Sequence, residues 1–307
     1  MSRGRHAVTA PSLDAGMACE WRTPKLSTAS CVGFAGPLRC FRGVLTGVST
    51  GRYRRYVALG DSSTEGLDDP DEAGEFRGWA DRLAEHLAVA NPDLEYANLA
   101  VRGRSAGEIA ASQLAPALAM QPDLATVVAG MNDLLRGNFD ASRVAGHVGR
   151  MVRDLRAVGA TVVLFSIPDV SGRMRLGRAL TTRTDALNRE LRQLALDTGA
   201  LLLDLASYES AYDHRMWARD RIHGNAAGHA AIGNELAHLL GVPGASPGAL
   251  AAALEPSGPR ARREVLAEDL RWIRHYVVPW AWRRLRGRTT GDGRTAKRPT
   301  PRPVVRR

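Results

Sequence analysis

The sequence predicts an α/β domain built on a five-stranded parallel sheet. Three observations lead there. Apolar runs of strand length alternate with longer segments of helical period between residues 55 and 240. The runs are short and mostly apolar throughout, as strands buried on both faces must be. The glycines and polar residues of this region collect just after them, where an α/β sheet opens its ligand crevice.

The elements follow in order. The first strand, Arg55–Leu59, runs into Gly60-Asp61-Ser62-Ser63, and a helical pattern covers Trp79 to Val89. The second, Tyr96–Leu99, lies in "NLAVRG" and precedes a helix over Ala106 to Met120. The third, Leu124–Ala129, is followed by "GMND", Gly130 to Asp133, and a helix over Ser142 to Val158. Thr161–Ser166 is the fourth, with a helix over Thr184 to Asp197. The fifth, Leu201–Leu205, leads through a longer loop, "DRIHGNAAGH", into a closing helix over Ala226 to Leu240. There is no internal repeat.

The expected organisation is a poorly ordered extension over 1–50, a domain over 51–242, a Gly, Pro and Ala linker over 243–263, and a basic helix with a disordered tail over 264–307. The pattern of the fold begins only near Arg52, so residues 1 to 47 are expected to be dispensable, as translation from a start placed too far upstream would make them. The formal charge of +10 suggests nucleic acid until it is divided along the 307 residues. Residues 1–55 carry nine basic and two acidic side chains and residues 260–307 fifteen and four, which leaves −8 for the middle. An acidic domain does not expect a polyanion as partner. Cys19, Cys31 and Cys40 all precede the domain, so it holds neither a disulfide framework nor a zinc cluster. With no continuous apolar leader and no window of about 18 apolar residues, the expected location is cytoplasmic.

The loop after the first strand, "GDSSTEG", is not a phosphate cradle. Gly66 is followed by Leu67 instead of Lys and Ser or Thr, and the three-glycine dinucleotide spacing is missing. The four strand ends instead supply a hydroxyl (Ser62), a backbone amide with no side chain in the way (Gly103), a carboxamide (Asn132) and an imidazole with a carboxylate three residues before it (His223, Asp220). These are the parts of a serine hydrolase. Ser is a weak nucleophile until a base takes its proton, and His223 suits that task. Asp220 accepts the other ring N–H, and the N–H groups of Ser62 and Gly103 with the Asn132 amide offer three donors to an oxyanion. An α/β-hydrolase is disfavoured, because Ser62 follows the first strand of the domain, Thr64 stands where a G-x-S-x-G elbow around it would have its second Gly, and the acid is three residues from the base.

The four blocks resemble those of the SGNH hydrolases, also called GDSL esterases and lipases. Gly60-Asp61-Ser62 resembles the first block, "NLAVRG" with Gly103 the second, "GMND" with Asn132 the third, and "DRIH" with Asp220 and His223 the fourth. Ser63 stands where the signature has Leu. The resemblance covers about residues 54 to 241 and implies a flavodoxin-like three-layer αβα sandwich and a metal-free, cofactor-free serine mechanism. It implies catalytic Ser62, Asp220 and His223, an oxyanion hole of Ser62, Gly103 and Asn132, support from Gly60 and Asp61, and a small-molecule or lipid acyl ester as substrate. Acyl transfer, carbohydrate O-acetyl ester hydrolysis and a non-catalytic binding or membrane-tethered module are the alternatives.

The remaining features have plainer readings. His229 packs on the last helix. The acidic loop Asp68 to Glu75 is a solvated loop that borders the entrance. Specificity is expected in Leu67 to Arg77, Leu134 to Asp140 and Pro168 to Thr181. The segment from Glu264, with Trp272, Trp280 and Trp282 and a break or kink at Pro279, is expected to dock on the domain, with peripheral contact to an anionic membrane as its functional alternative.

Overall fold

The computed structural model describes residues 53–174, 178–248, 250–251, 258 and 261–304. The expectations for residues 1–50, and for parts of the linker and of the Pro168–Thr181 loop, lie outside them.

The elements are β1 (Arg55–Leu59), α1 (Ser62–Glu65), α2 (Gly78–Ala90), β2 (Glu95–Asn98), α3 (Ala106–Ala119), β3 (Leu124–Val127), α4 (Met131–Leu134), α5 (Ala141–Ala157), β4 (Thr161–Phe165), α6 (Ser171–Met174), α7 (Arg178–Thr198), β5 (Leu201–Leu203) and α8 (Ala226–Leu239). They continue as α9 (Arg262–Trp272), a π-helical turn (Ile273–Val277), α10 (Val278–Leu285) and β6 (Arg298–Pro303). The sheet order is β5-β4-β3-β1-β2-β6. β1 to β5 run parallel, as the alternating pattern requires.

Alternation along each strand sorts the core into two layers, because successive strand residues face opposite sides of a sheet. Val57 and Leu59 join the side covered by α3, α5 and α7, with Ile109, Val148, Met151 and Leu187. Tyr56 and Ala58 join the side covered by α2 and α8, with Trp79, Leu83, Ile232 and Leu236. The helices start where the sequence offers caps. Ser105 and Glu108 form a reciprocal capping box on α3, and the Asp140 carboxylate accepts from Arg143 N at the start of α5. Strand order reverses at β1, between β2 and β3, so the crevice at their carboxyl ends receives the loops carrying Ser62 and Asn132.

The sheet has six strands, not five, and the sixth comes from the segment expected to be a disordered tail. β6 pairs antiparallel with β2, with Tyr96 opposite Arg302 and Asn98 opposite Arg298. Its sequence, RPTPRP, cannot donate at the proline positions, which confines such a strand to a sheet edge. Lys297 pairs with Asp81, and the Arg298 guanidinium lies 5.2 Å from the Tyr96 ring centroid and donates to the Tyr96 carbonyl at 2.7 Å. The basic end thus docks on the acidic domain. Pro279 does not break the helix. The π-turn just before it widens the helix where the ring would strike the preceding turn.

Candidate active site

Ser62 is the first residue of the four-residue α1, which leaves its backbone N–H without an intrahelical acceptor. Asp61 caps the same turn, accepting from Ser63 N at 3.2 Å. Gly60 has both backbone groups bound by the buried Gln113, N–H to Oε1 at 2.9 Å and Nε2–H to the carbonyl at 2.8 Å. Gln113, on α3, gave no signal in the sequence; its role exists only because α3 packs beside the loop.

The fourth block is a tight hairpin. Trp217 bridges Gly224, Ala218 N donates to the His223 carbonyl at 2.9 Å, and Asn225 N donates to the Met216 carbonyl at 3.1 Å. At its tip Asp220 Oδ1 accepts the N–H groups of Ile222 and His223, at 3.0 and 3.1 Å. Asp220 Oδ2 binds His223 Nδ1, and His223 Nε2 lies 2.7 Å from Ser62 Oγ. Hydroxyl, imidazole and carboxylate therefore stand in line although Ser62 and His223 are 161 residues apart.

Asp68 adds a charge that the sequence reading left in a solvated loop. Its carboxylate lies 3.5 Å from His223 Nδ1. Its neighbour Asp69 is buried and paired with Arg82 at 2.9 Å. Burial disfavours the imidazolium of His223, but the carboxylates of Asp220 and Asp68 outweigh it and hold the ring up to about 9. Asp220 goes the other way: burial raises its carboxyl, and the His223 hydrogen bond overrides that and keeps it below the usual range. Three non-glycine residues have a positive φ among the described residues, and two of them, Asp68 at 65° and Arg221 at 68°, flank this imidazole.

Asn132 ties the other blocks together. Its amide donates to Asp61 Oδ2 at 2.9 Å and to the Arg104 carbonyl at 3.0 Å, which sets it beside the residues next to Ser62 and next to Gly103. Burial pushes the Asp61 carboxyl up to about 6, against the donors from Ser63 and Asn132 and the nearby imidazolium. Gly103 has φ of 78°, a region in which a side chain is strained. Its loop is clamped by Glu65, which accepts from Arg102 N at 2.9 Å and pairs with the guanidinium. Glu65 had no assigned role in the sequence; it joins the first block to the second. Asn98 is buried and donates to the Thr64 carbonyl at 2.8 Å.

His229 is buried and structural. Nδ1 accepts from Trp79 N at 3.1 Å and Nε2 donates to the Leu67 carbonyl at 3.1 Å, and burial drives the ring down to about 4, so it stays neutral. The Asp68, Asp220 and His223 donor atoms lie within 4.8 Å of one another, a composition that suits a cation. Both ring nitrogens of His223 are already committed, to Asp220 and Ser62, which fits a proton relay better than a ligand set. A cleft of about 1090 Å³ opens next to the hairpin, lined by Trp217, Arg219 and Arg221 on one side and Glu268, Arg271 and Trp272 of α9 on the other.

The model of the GDSL-like lipase/acylhydrolase family matches residues 58–231. Among solved structures, the chain is similar to LAE5, an alpha/beta hydrolase enzyme from the metagenome of Lake Arreo, Spain, at 21% identity and TM-score 0.53, covering 63% of this chain and 99% of that one. It is similar to a catalytic mutant of an acetylxylan esterase from Geobacillus stearothermophilus at 17% identity and TM-score 0.53, covering 61% and 94%. It is also similar to TesA at 23% identity and TM-score 0.51, covering 61% and 98%. Identities this low speak for the fold alone. No curated protein matches the chain.

Proposed function

The chain belongs to the GDSL-like lipase/acylhydrolase family, and from that premise we propose that it is a serine esterase working through an acyl-enzyme. The observation that carries the reading is the line Ser62 Oγ, His223, Asp220, with 2.7 Å between hydroxyl and imidazole. Ser62 Oγ attacks the acyl carbon while His223 Nε2 takes its proton. The oxyanion is received by the N–H groups of Ser62 and Gly103 and the Asn132 amide. His223 then protonates the leaving alcohol, and a water molecule, deprotonated by the same ring, releases the acid. The substrate is a small-molecule or lipid acyl ester. Turnover of a p-nitrophenyl ester series, with a fluorophosphonate trapped on Ser62, tests this; wild-type protein that neither turns over nor labels defeats it. A profile confined to acetyl esters makes it an O-acetylesterase, and product formation dependent on an added alcohol makes it a transferase.

The raised pKa of His223 sets the pH dependence. The base must be neutral, so kcat/KM rises with pH through the ring's pKa, and its acid limb is expected above the ordinary histidine value, toward about 9. The charged and titratable groups facing the ring are Asp220, Asp68, Asp61 and His229. Asp68→Asn removes one carboxylate that favours the imidazolium, so the limb moves to lower pH and neutral-pH turnover increases. An unmoved limb removes Asp68 from the electrostatics of the base.

A second, additional role concerns the surface of α9 and α10. Leu266, Leu270 and Ile273 recur at helical spacing and are exposed, as are Trp282 and Leu285, among Arg271, Arg274, Arg283, Arg284 and Arg286. Apolar side chains flanked by arginines suit an anionic bilayer surface. No helix among the described residues is long and apolar enough to cross a membrane, so this contact is peripheral. Full-length protein is expected to co-sediment with anionic liposomes, and Leu270→Glu with Trp282→Glu to abolish it; equal recovery of both proteins ends the reading.

A further inference from the structure

We infer that α9 is part of the catalytic apparatus: Trp272 is a positioning residue for the acid of the triad, donating its indole Nε1–H to the main-chain carbonyl of Asp220 at 2.8 Å. The inference rests on the esterase reading of Ser62, Asp220 and His223.

The hairpin that carries Asp220 and His223 is held by one bridge at Trp217 and Gly224, a few backbone bonds, and side-chain bonds of Asn225 and Asp220 to its own backbone, and none of these holds the Asp220 carbonyl. A carboxylate that must keep one ring nitrogen in line needs more than that, since small displacements of catalytic groups cost large factors in rate. One turn of α9 supplies it. Residues three apart share a helix face, and Asp269 and Trp272 both turn toward the hairpin, where both are buried. Trp272 holds the carbonyl of Asp220. Asp269 pairs with the Arg221 guanidinium at 2.8 Å, and the same guanidinium lies 4.9 Å from the Trp272 ring centroid. Arg221 is the residue with φ of 68°, so this clamp fixes the backbone where it is strained, between acid and base.

Helix α9 is itself fastened at the far end of its segment. After α10 the chain makes a turn on the Gly103 loop, so close that a Cβ on Gly291 would strike the Arg102 carbonyl oxygen. Thr289 and Thr290 pack over Gly103, within 3.3 Å of the position a Cβ would take there. β6 then joins the sheet. One continuous segment therefore touches the loop of the acid and the loop of an oxyanion donor, and closes the sheet edge. Trp272, Lys297 and Arg298 of this segment serve the docking.

Trp272→Phe in the full-length chain keeps the ring and removes the donor. The expected result is a roughly tenfold lower kcat on a p-nitrophenyl ester with KM within about twofold, together with an acid limb displaced to lower pH, because a loosened Asp220 supports the imidazolium less. Asp269→Asn is expected to act in the same direction, and Glu264→Gln, exposed in the first turn of α9, to change nothing. Titration of the His223 ring by NMR, assigned against His223→Gln, reads the brace without relying on turnover and is expected to fall in Trp272→Phe. Folded Trp272→Phe protein with unchanged kcat and an unmoved His223 titration overturns the inference. A loss of activity that only tracks loss of folded protein, with the titration unmoved, overturns it too. Wild-type protein without esterase activity but with the shifted titration defeats the esterase reading and leaves the brace standing.

Discussion

Ser62→Ala and His223→Ala are each expected to abolish fluorophosphonate labelling and to lower ester turnover by roughly four to six orders of magnitude. In the proposed mechanism the two substitutions have nearly the same effect because nucleophile and base act as one unit: without the ring at 2.7 Å the hydroxyl keeps its proton, and without the hydroxyl the ring has nothing to activate. Asp220→Asn is expected to cost less, since it leaves both reacting groups in place and removes the partner that orients the ring. The fold is expected to survive Ser62→Ala, because the residue is only half-buried and heads a short turn capped by Asp61. Thermal unfolding beside the rate measurement separates the chemistry from stability. A Ser62→Ala protein that still hydrolyses esters removes the serine mechanism; wild-type protein that never labels favours a binding module on the same scaffold.

Asn132→Ala is expected to lower kcat by about 10² to 10³, corresponding to about 3 to 4 kcal/mol of transition-state stabilisation, with little change in KM. The geometry makes this a sharper test than usual. Both hydrogens of the Asn132 amide are engaged in the structure, with Asp61 and the Arg104 carbonyl, so donation to an oxyanion requires a shared bond or exchange with one of them. Burial pushes the Asp61 carboxyl up to about 6 even though Asn132 donates to it. Losing Asn132 also removes a donor that favours the ionised form, so the Asp61 carboxyl rises further. If Asn132 only braces the two loops, the variant melts earlier and keeps its kcat. A change in kcat below about threefold sinks the oxyanion role.

The parallel sheet was legible because its signal is local and repeated. β1 to β5 fall within a few residues of the apolar runs, and α2, α3, α5, α7 and α8 on the helical patterns between them. β6 was not legible. Three prolines in six residues argue against a strand, and nothing in RPTPRP says that an edge position beside β2 will make them tolerable. The four blocks that the fold brings together were legible because each comes after a strand and each side-chain type has a definite chemistry. Asp68, Glu65, Gln113 and Trp272 were not. Each acts on a residue brought near by folding, Trp272 across 52 positions and Gln113 across 53, with no spacing rule to announce it.

The sequence by itself determined the layers of the fold and singled out the proposed nucleophile, base and acid with the donor types around them, since burial periodicity and side-chain chemistry belong to individual residues and their near neighbours. Only the tertiary structure decided that His223 is held up to about 9 while the buried His229 is driven to about 4, and that the basic end docks on an acidic domain. The physical reason is that charge stabilisation and desolvation depend on distances of a few ångströms between groups far apart in the chain. The same imidazole is held toward its charged form beside two carboxylates and becomes a neutral strut in a buried layer.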